Sequence, residues 1–133
     1  MNRAGLGSLL LVVIFGTVWL HIQALQNSWY YHYPFSDIPM HILGGALAAL
    51  LTLFIANTWN KTPPTLAAEW GLVILWTFVV ALAWEVFELL FNIYAASNYI
   101  EDTLMDIAMG FLGAGIIMVI THIKHRHAQH ISS

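Results

Sequence analysis

Four long apolar stretches, near residues 6–23, 38–56, 68–94 and 102–121, organise this chain, and short polar or aromatic breaks separate them. A helix crossing the hydrocarbon core needs about 20 mostly apolar residues at 1.5 Å rise per residue, and each stretch is of that order. The breaks are an aromatic loop from Trp29 to Phe35, a turn holding Lys61, Pro63 and Pro64, and another holding Ser97 and Asn98. Residues of these types commonly end helices. The pattern predicts an all-α fold: a four-helix transmembrane bundle forming a single domain over 1–133, with residues 122–133 as a short His-rich basic tail. The first stretch follows Arg3 and resembles a signal peptide in position. No small-x-small cleavage site follows Trp19, and the apolar run is long for a leader, so it reads as a retained helix.

Composition agrees with the spacing. Of 133 residues, 59% are hydrophobic and 8% charged, against about 25% charged in soluble domains. The mean hydropathy is +0.73. These values describe a multi-pass protein of the cell membrane, with the lipid bilayer as its first partner. There is no cysteine, which excludes disulfides, thiolate metal sites and cysteine nucleophiles. The net charge is −3 and the four Lys and Arg residues are scattered, so no basic patch offers itself to nucleic acid.

Those same four residues set an orientation. Arg3, Lys61, Lys124 and Arg126 fall on one side if the chain crosses four times, and cytoplasmic loops retain Lys and Arg. Both termini are therefore expected in the cytoplasm and the Trp29 to Phe35 loop outside. Trp59 and Trp70 would mark the inner interface, and Trp29, Tyr30, Tyr31, Tyr33, Tyr94 and Tyr99 the outer one. Single cysteines test this: an impermeant maleimide on intact cells should label Ser28→Cys and spare Thr62→Cys, and the reverse pattern would invert the orientation.

Against this apolar background, Glu85 and Glu88 stand inside the third stretch. An ionisable side chain at membrane depth costs roughly 2.5–3.5 kcal/mol on insertion scales, so two of them one turn apart call for a partner, a proton or a metal. Asp37 and His41 open the second stretch four residues apart, and Asp102 and Asp106 open the fourth at the same spacing, which puts each pair on one helix face. Alternating helix directions bring all three faces to the same depth, with His21 at the outer end of the first stretch and Asn92 one turn beyond Glu88. Helix capping accounts for Asp37, Glu101 and Asp102 taken singly, and Pro39 suits a first helical turn. Glu85, Glu88 and Asp106 lie too far inside their helices for capping. Trp76 and Trp84 read as packing residues.

Small residues indicate where helices touch. Gly44, Gly45, Ala46, Ala48 and Ala49 line the second stretch, and Gly110, Gly113, Ala114 and Gly115 the fourth, a composition that permits close backbone approach in lipid. No strand precedes either cluster and no Lys follows, so neither is a phosphate loop.

Asp37-x-x-x-His41, Trp84-Glu85-x-x-Glu88 and Asp102-Thr103-x-x-Asp106 followed by Gly113-Ala114 resemble the YjdF-type and broader VanZ-like small membrane proteins. The likeness covers Asp37 to Gly115. The VanZ-like pattern proper has Gln where Glu88 stands and an Arg before the last helix, absent here, so the YjdF-type variant is closer. The resemblance implies a small integral membrane protein; VanZ-like members are associated with glycopeptide resistance.

Three functions fit these residues. In the leading one, Asp37, His41, Glu85, Glu88, Asp102 and Asp106 bind a divalent metal near the outer leaflet, with Mg, Mn, Fe and Zn all open. Glu85, Glu88 and Asp106 are then the candidate catalytic groups, acting on water or on a lipid-linked or envelope substrate. Without a metal, two carboxylates could share a proton. In the second, the acids handle protons or cations, although only Glu69 is titratable in the inner half of the spans. In the third, the protein is a non-enzymatic scaffold whose acids pair with a cationic partner. In the tail, His122, His125, His127 and His130 alternate with Lys124 and Arg126; metal chelation is conceivable at that spacing, but attraction to anionic lipids is the simpler reading.

Overall fold

The structure is a computed structural model that describes residues 3–33, 35–59, 64–91 and 98–131, and the side chains only as far as Ile123. Its elements are α1 (Arg3–Gln26), α2 (Trp29–His32), α3 (Ile38–Trp59), α4 (Leu66–Phe91) and α5 (Tyr99–Ile131). Four of these, α1, α3, α4 and α5, are long and apolar enough to cross a membrane. Even in the two most buried spans, those of α3 and α5, only about a third of the residues are enclosed by protein. Large apolar side chains such as Phe15, Trp19, Leu75 and Leu90 are exposed, as lipid-facing positions require, since lipid tails solvate them where water would not.

Neighbouring residues establish the helix directions. Gly7 of α1 lies beside Phe54 of α3, so these two run antiparallel. His41 meets Asp106, and Gly45 meets Gly110, so α3 and α5 run parallel. Glu85 reaches Thr103 and Gly110 approaches Ala81, so α4 opposes α5. The start of α1 and the far end of α5 thus share one end of the bundle. The start of α3, the start of α5 and the end of α4 share the other.

Helix α3 is the hub. It packs against α1, α4 and α5, and α4 also packs on α5, while the backbone of α1 approaches neither α4 nor α5 closely among the described residues. The arrangement is a three-helix core with α1 laid against its central member. The core centres on Ala49, Leu50, Leu53, Val73, Ala114, Ile117 and Met118, and Leu6 of α1 closes it.

Glycine makes the α3–α5 approach possible. A Cβ on Gly45 would overlap the Gly110 carbonyl, and a Cβ on Gly113 would overlap the Ile42 carbonyl. Any side chain at either position would push two backbones apart, which is why the contact uses the one residue without a Cβ. Gly44 and Gly115, expected in the same interface, are not in it: a Cβ on either would meet nothing within 4 Å. Each residue advances about 100° around a helix, so positions one and two residues away from the contact line turn off it.

Three local features differ from the sequence expectation. The aromatic loop contains a helical turn, α2. Ser28 adopts φ 53° before it, an uncommon conformation for a residue with a Cβ, and its carbonyl then accepts from the Tyr31 and His32 amides. The fourth stretch begins as helix at Tyr99, three residues before its expected start, with Glu101 and Asp102 in the first turn, where carboxylates favour the dipole. It also continues as helix to Ile131, through ten residues assigned to the tail, because no Gly or Pro interrupts Ile116 to Ile131. Lys61, Pro63, Asn92, Tyr94 and Ser97 lie outside the described residues, as do the side chains of Lys124, His125, Arg126, His127 and His130.

Candidate functional site

The bundle end formed by the starts of α3 and α5 and the end of α4 gathers the acidic residues. Asp106, on the second turn of α5, is 2% exposed, and Glu85, on the penultimate turns of α4, is 3% exposed. Enclosure of a carboxylate by protein at membrane depth is costly unless its oxygens find partners. Both have them. His41 Nε2 lies 3.4 Å from Asp106 Oδ2. Thr103 Oγ1 donates to Glu85 Oε2 at 2.6 Å, and the Tyr99 hydroxyl donates to the Glu85 backbone carbonyl at 3.3 Å.

Two triads emerge. Ligand atoms of Asp37, His41 and Asp106 lie within 4.8 Å of one another, and so do those of Glu85, Glu88 and Asp106. Asp106 belongs to both. The spacing follows from local geometry: Asp37 immediately precedes α3 and its carbonyl accepts the His41 amide of the first turn, Glu85 and Glu88 share a face of α4, and parallel α3–α5 packing through glycine brings Asp106 between them. Three donors around one ion at metal–ligand distances of about 2.0–2.6 Å stand no more than about 3.5–4.5 Å apart, so a triad whose atoms lie within 4.8 Å would have to draw in to close on a divalent cation.

Glu88 is half-buried at the rim, and the Trp84 indole N–H donates to its Oε1 at 2.8 Å. Trp84, expected only to pack, therefore also orients a carboxylate. The signal was legible, since residues four apart on a helix are neighbours. Thr103 and Tyr99 are the residues that sequence reasoning did not assign. Thr103 stands in the Asp102-Thr103-x-x-Asp106 motif and Tyr99 among the outer-interface aromatics, but nothing local links either to Glu85, which is 18 and 14 positions away.

The other candidates are placed as follows. Asp102 is half-buried on the first turn of α5 and enters neither triad. His21 faces the α2 turn instead of the acids, its Nδ1 2.9 Å from the Tyr30 hydroxyl. Burial pushes the Tyr30 phenol above its ordinary range, and the Asp37 carboxylate adds to that. Glu69 lies in the first turn of α4, at the opposite end from the triads.

Comparison with known proteins gives one result. Residues 2–127 match the family described as "Predicted membrane protein (DUF2238)". No curated protein and no solved structure matches the chain. The chain belongs to that membrane-protein family, whose model spans all four membrane-crossing helices.

Proposed function

We propose that this member of the family binds a divalent metal ion at the Asp37, His41, Asp106 and Glu85, Glu88, Asp106 triads and uses it on a lipid-linked or envelope substrate. The observation that carries this reading is the shared position of Asp106: a buried carboxylate between two further ligand sets. Charge supports it. Six of the seven carboxylates, all but Glu69, are at one bundle end, and the only Lys or Arg within the four spans is Arg3, at the opposite end. Mutual repulsion in low dielectric is relieved by a cation far more effectively than by hydrogen bonds alone.

In this reading His41 supplies a nitrogen ligand, Asp106 a bridging oxygen and Glu85 an oxygen that Thr103 holds in place. A bound ion would polarise a phosphate oxygen or a water molecule. Glu88, at the accessible rim and steered by Trp84, would be the general base. Asp102, outside both triads, would tune the rim's charge.

Elemental analysis of purified protein tests it. Wild type should carry stoichiometric divalent metal, and Asp106→Asn should lose more than Glu85→Ala, because only Asp106 serves both triads. Metal-free wild type after dialysis against Mn or Zn would overturn the reading.

A second reading, proton or cation handling, draws on Thr77. Its hydroxyl is buried, 1% exposed, and has no hydrogen-bond partner among the described residues. Other helical threonines, Thr17, Thr52, Thr58 and Thr121, each bond the carbonyl four residues back. Thr77 lies two turns, about 12 Å, deeper than Glu85 along α4, where an inward step from the acids would begin.

A further inference from the structure

A cavity of about 570 Å³ lies beside the acidic site, on the opposite flank of α3. Leu20 and Ala24 of α1, Trp29 and Tyr33 around α2, and Pro39 and Met40 of α3 line it. Its volume is within the roughly 300–1,000 Å³ of small-ligand pockets. Its walls are almost wholly apolar and it is partly open at the surface, so water gains few hydrogen bonds along it and an apolar chain can enter.

Three observations indicate what fills it. First, the cavity is set between the end of one membrane span and the start of the next, at the bundle end that carries the acids. The apolar molecules present at that depth are lipid chains. Second, it is continuous in sequence and space with the site. Pro39 and Met40 face the cavity, while Asp37 and His41, in the same helical turn, join Asp106 on the α5 side. Third, the edge between the two is polar. Tyr30 lies close enough to Asp37 to feel its charge, and Ser36 contributes to the cavity rim. An apolar hole, a polar edge and an acidic cluster follow one another across about one turn of helix.

We propose that this cavity holds the hydrocarbon chain of a phosphate-headed membrane lipid whose head group reaches over the first turn of α3 to the Asp37–His41–Asp106 triad. The tail assignment stands on the cavity alone. The head-group assignment rests on the metal reading above, because three acidic and imidazole ligands accept a phosphate only through an intervening cation. Aromatic rings at Trp29 and Tyr33 suit this boundary, since amphipathic rings favour the depth where chain meets head group.

Photocrosslinking in nanodiscs tests both halves. The probe is phosphatidic acid bearing a diazirine in one acyl chain, with diacylglycerol carrying the same chain as the neutral control. Phosphatidic acid should crosslink residues 20–24 and 29–40 in preference to the exposed face of α1 around Leu11 and Phe15. Leu20→Trp should lower that yield roughly tenfold, the equivalent of about two methylenes of lost burial. Ser36→Trp, in a loop and less demanding of the fold, should do the same, and Leu11→Trp should not. Uniform labelling of the lipid-facing surface, or yields that neither tryptophan alters, would overturn the proposal. Equal labelling by diacylglycerol would overturn its head-group half. Glu85→Ala separates the two readings: loss of metal with cavity labelling intact keeps the tail assignment, and labelling of a wild type that never holds metal removes the metal reading and the head-group half that rests on it, leaving the tail assignment.

Discussion

Gly113→Leu is expected to destabilise the bundle strongly, as one of the two most damaging single changes at the α3–α5 contact. The added Cβ would overlap the Ile42 carbonyl and press on the Ala46 amide, and those are backbone atoms with no rotamer to escape into. Forcing extra carbon into a packed interface costs about 1–3 kcal/mol where side chains can yield. Here α3 and α5 must separate, which places the cost at or above that range and threatens the core around Ala49, Leu50 and Met118 as well. Gly45→Leu should behave similarly, because its Cβ would overlap the Gly110 carbonyl. Gly115→Leu and Gly44→Leu are the controls, since both positions face open space. Thermal melting in detergent should show a large drop for Gly113→Leu and Gly45→Leu and almost none for their near neighbours. Wild-type melting of Gly113→Leu, or an equal drop for Gly115→Leu, would remove the close α3–α5 contact from the fold. The site would be lost with it, because that contact is what sets Asp106 beside His41.

The second large effect should come from Thr103→Val, a substitution that preserves shape and removes one hydroxyl. It deletes the 2.6 Å bond to Glu85 and leaves a buried carboxylate oxygen unsatisfied, which typically costs about 1–3 kcal/mol. Measured polar contacts in membranes often fall near 0.6 kcal/mol, since the unfolded state also finds partners. Near-complete burial of Glu85 argues for the upper part of this span. If the triads hold a metal, Thr103 is a positioning residue behind the ligand Glu85. Removing such a partner usually weakens metal affinity by about 10–100-fold. Thr103→Ser should restore both properties. A cycle pairing Thr103→Val with Glu85→Leu should show strong coupling, and additive effects would mean that the hydroxyl and the carboxylate act separately. A metal affinity unchanged in Thr103→Val would confine the residue to packing and capping.

The hydrophobic pattern by itself determined the class and most of the architecture. Four apolar runs of spanning length, with breakers between them, leave helices as the only economical way to satisfy the backbone in lipid. That constraint is local to each segment, so it is written in consecutive residues. It also picked out Glu85, Glu88 and Asp106, because a carboxylate inside an apolar run is conspicuous wherever its partner lies. Periodicity further paired Asp37 with His41, since both stand on one helix.

Pairing between helices was decided only by tertiary structure. Asp106 stands between the Asp37–His41 pair and the Glu85–Glu88 pair because α3 and α5 run parallel and touch through Gly45, Gly110 and Gly113. Glycine content alone did not separate those three from Gly44 and Gly115, which face away; rotation about the helix axis did. Thr103 and Tyr99 became partners of Glu85 only once α4 and α5 lay antiparallel. The same packing left Asp102 outside both triads and turned His21 toward Tyr30. The cavity beside α3 needed α1, the α2 turn and α3 together. A residue's cost of burial is a property of its own neighbourhood in the chain, whereas the partner that offsets this cost sits on another helix, and only packing selects it.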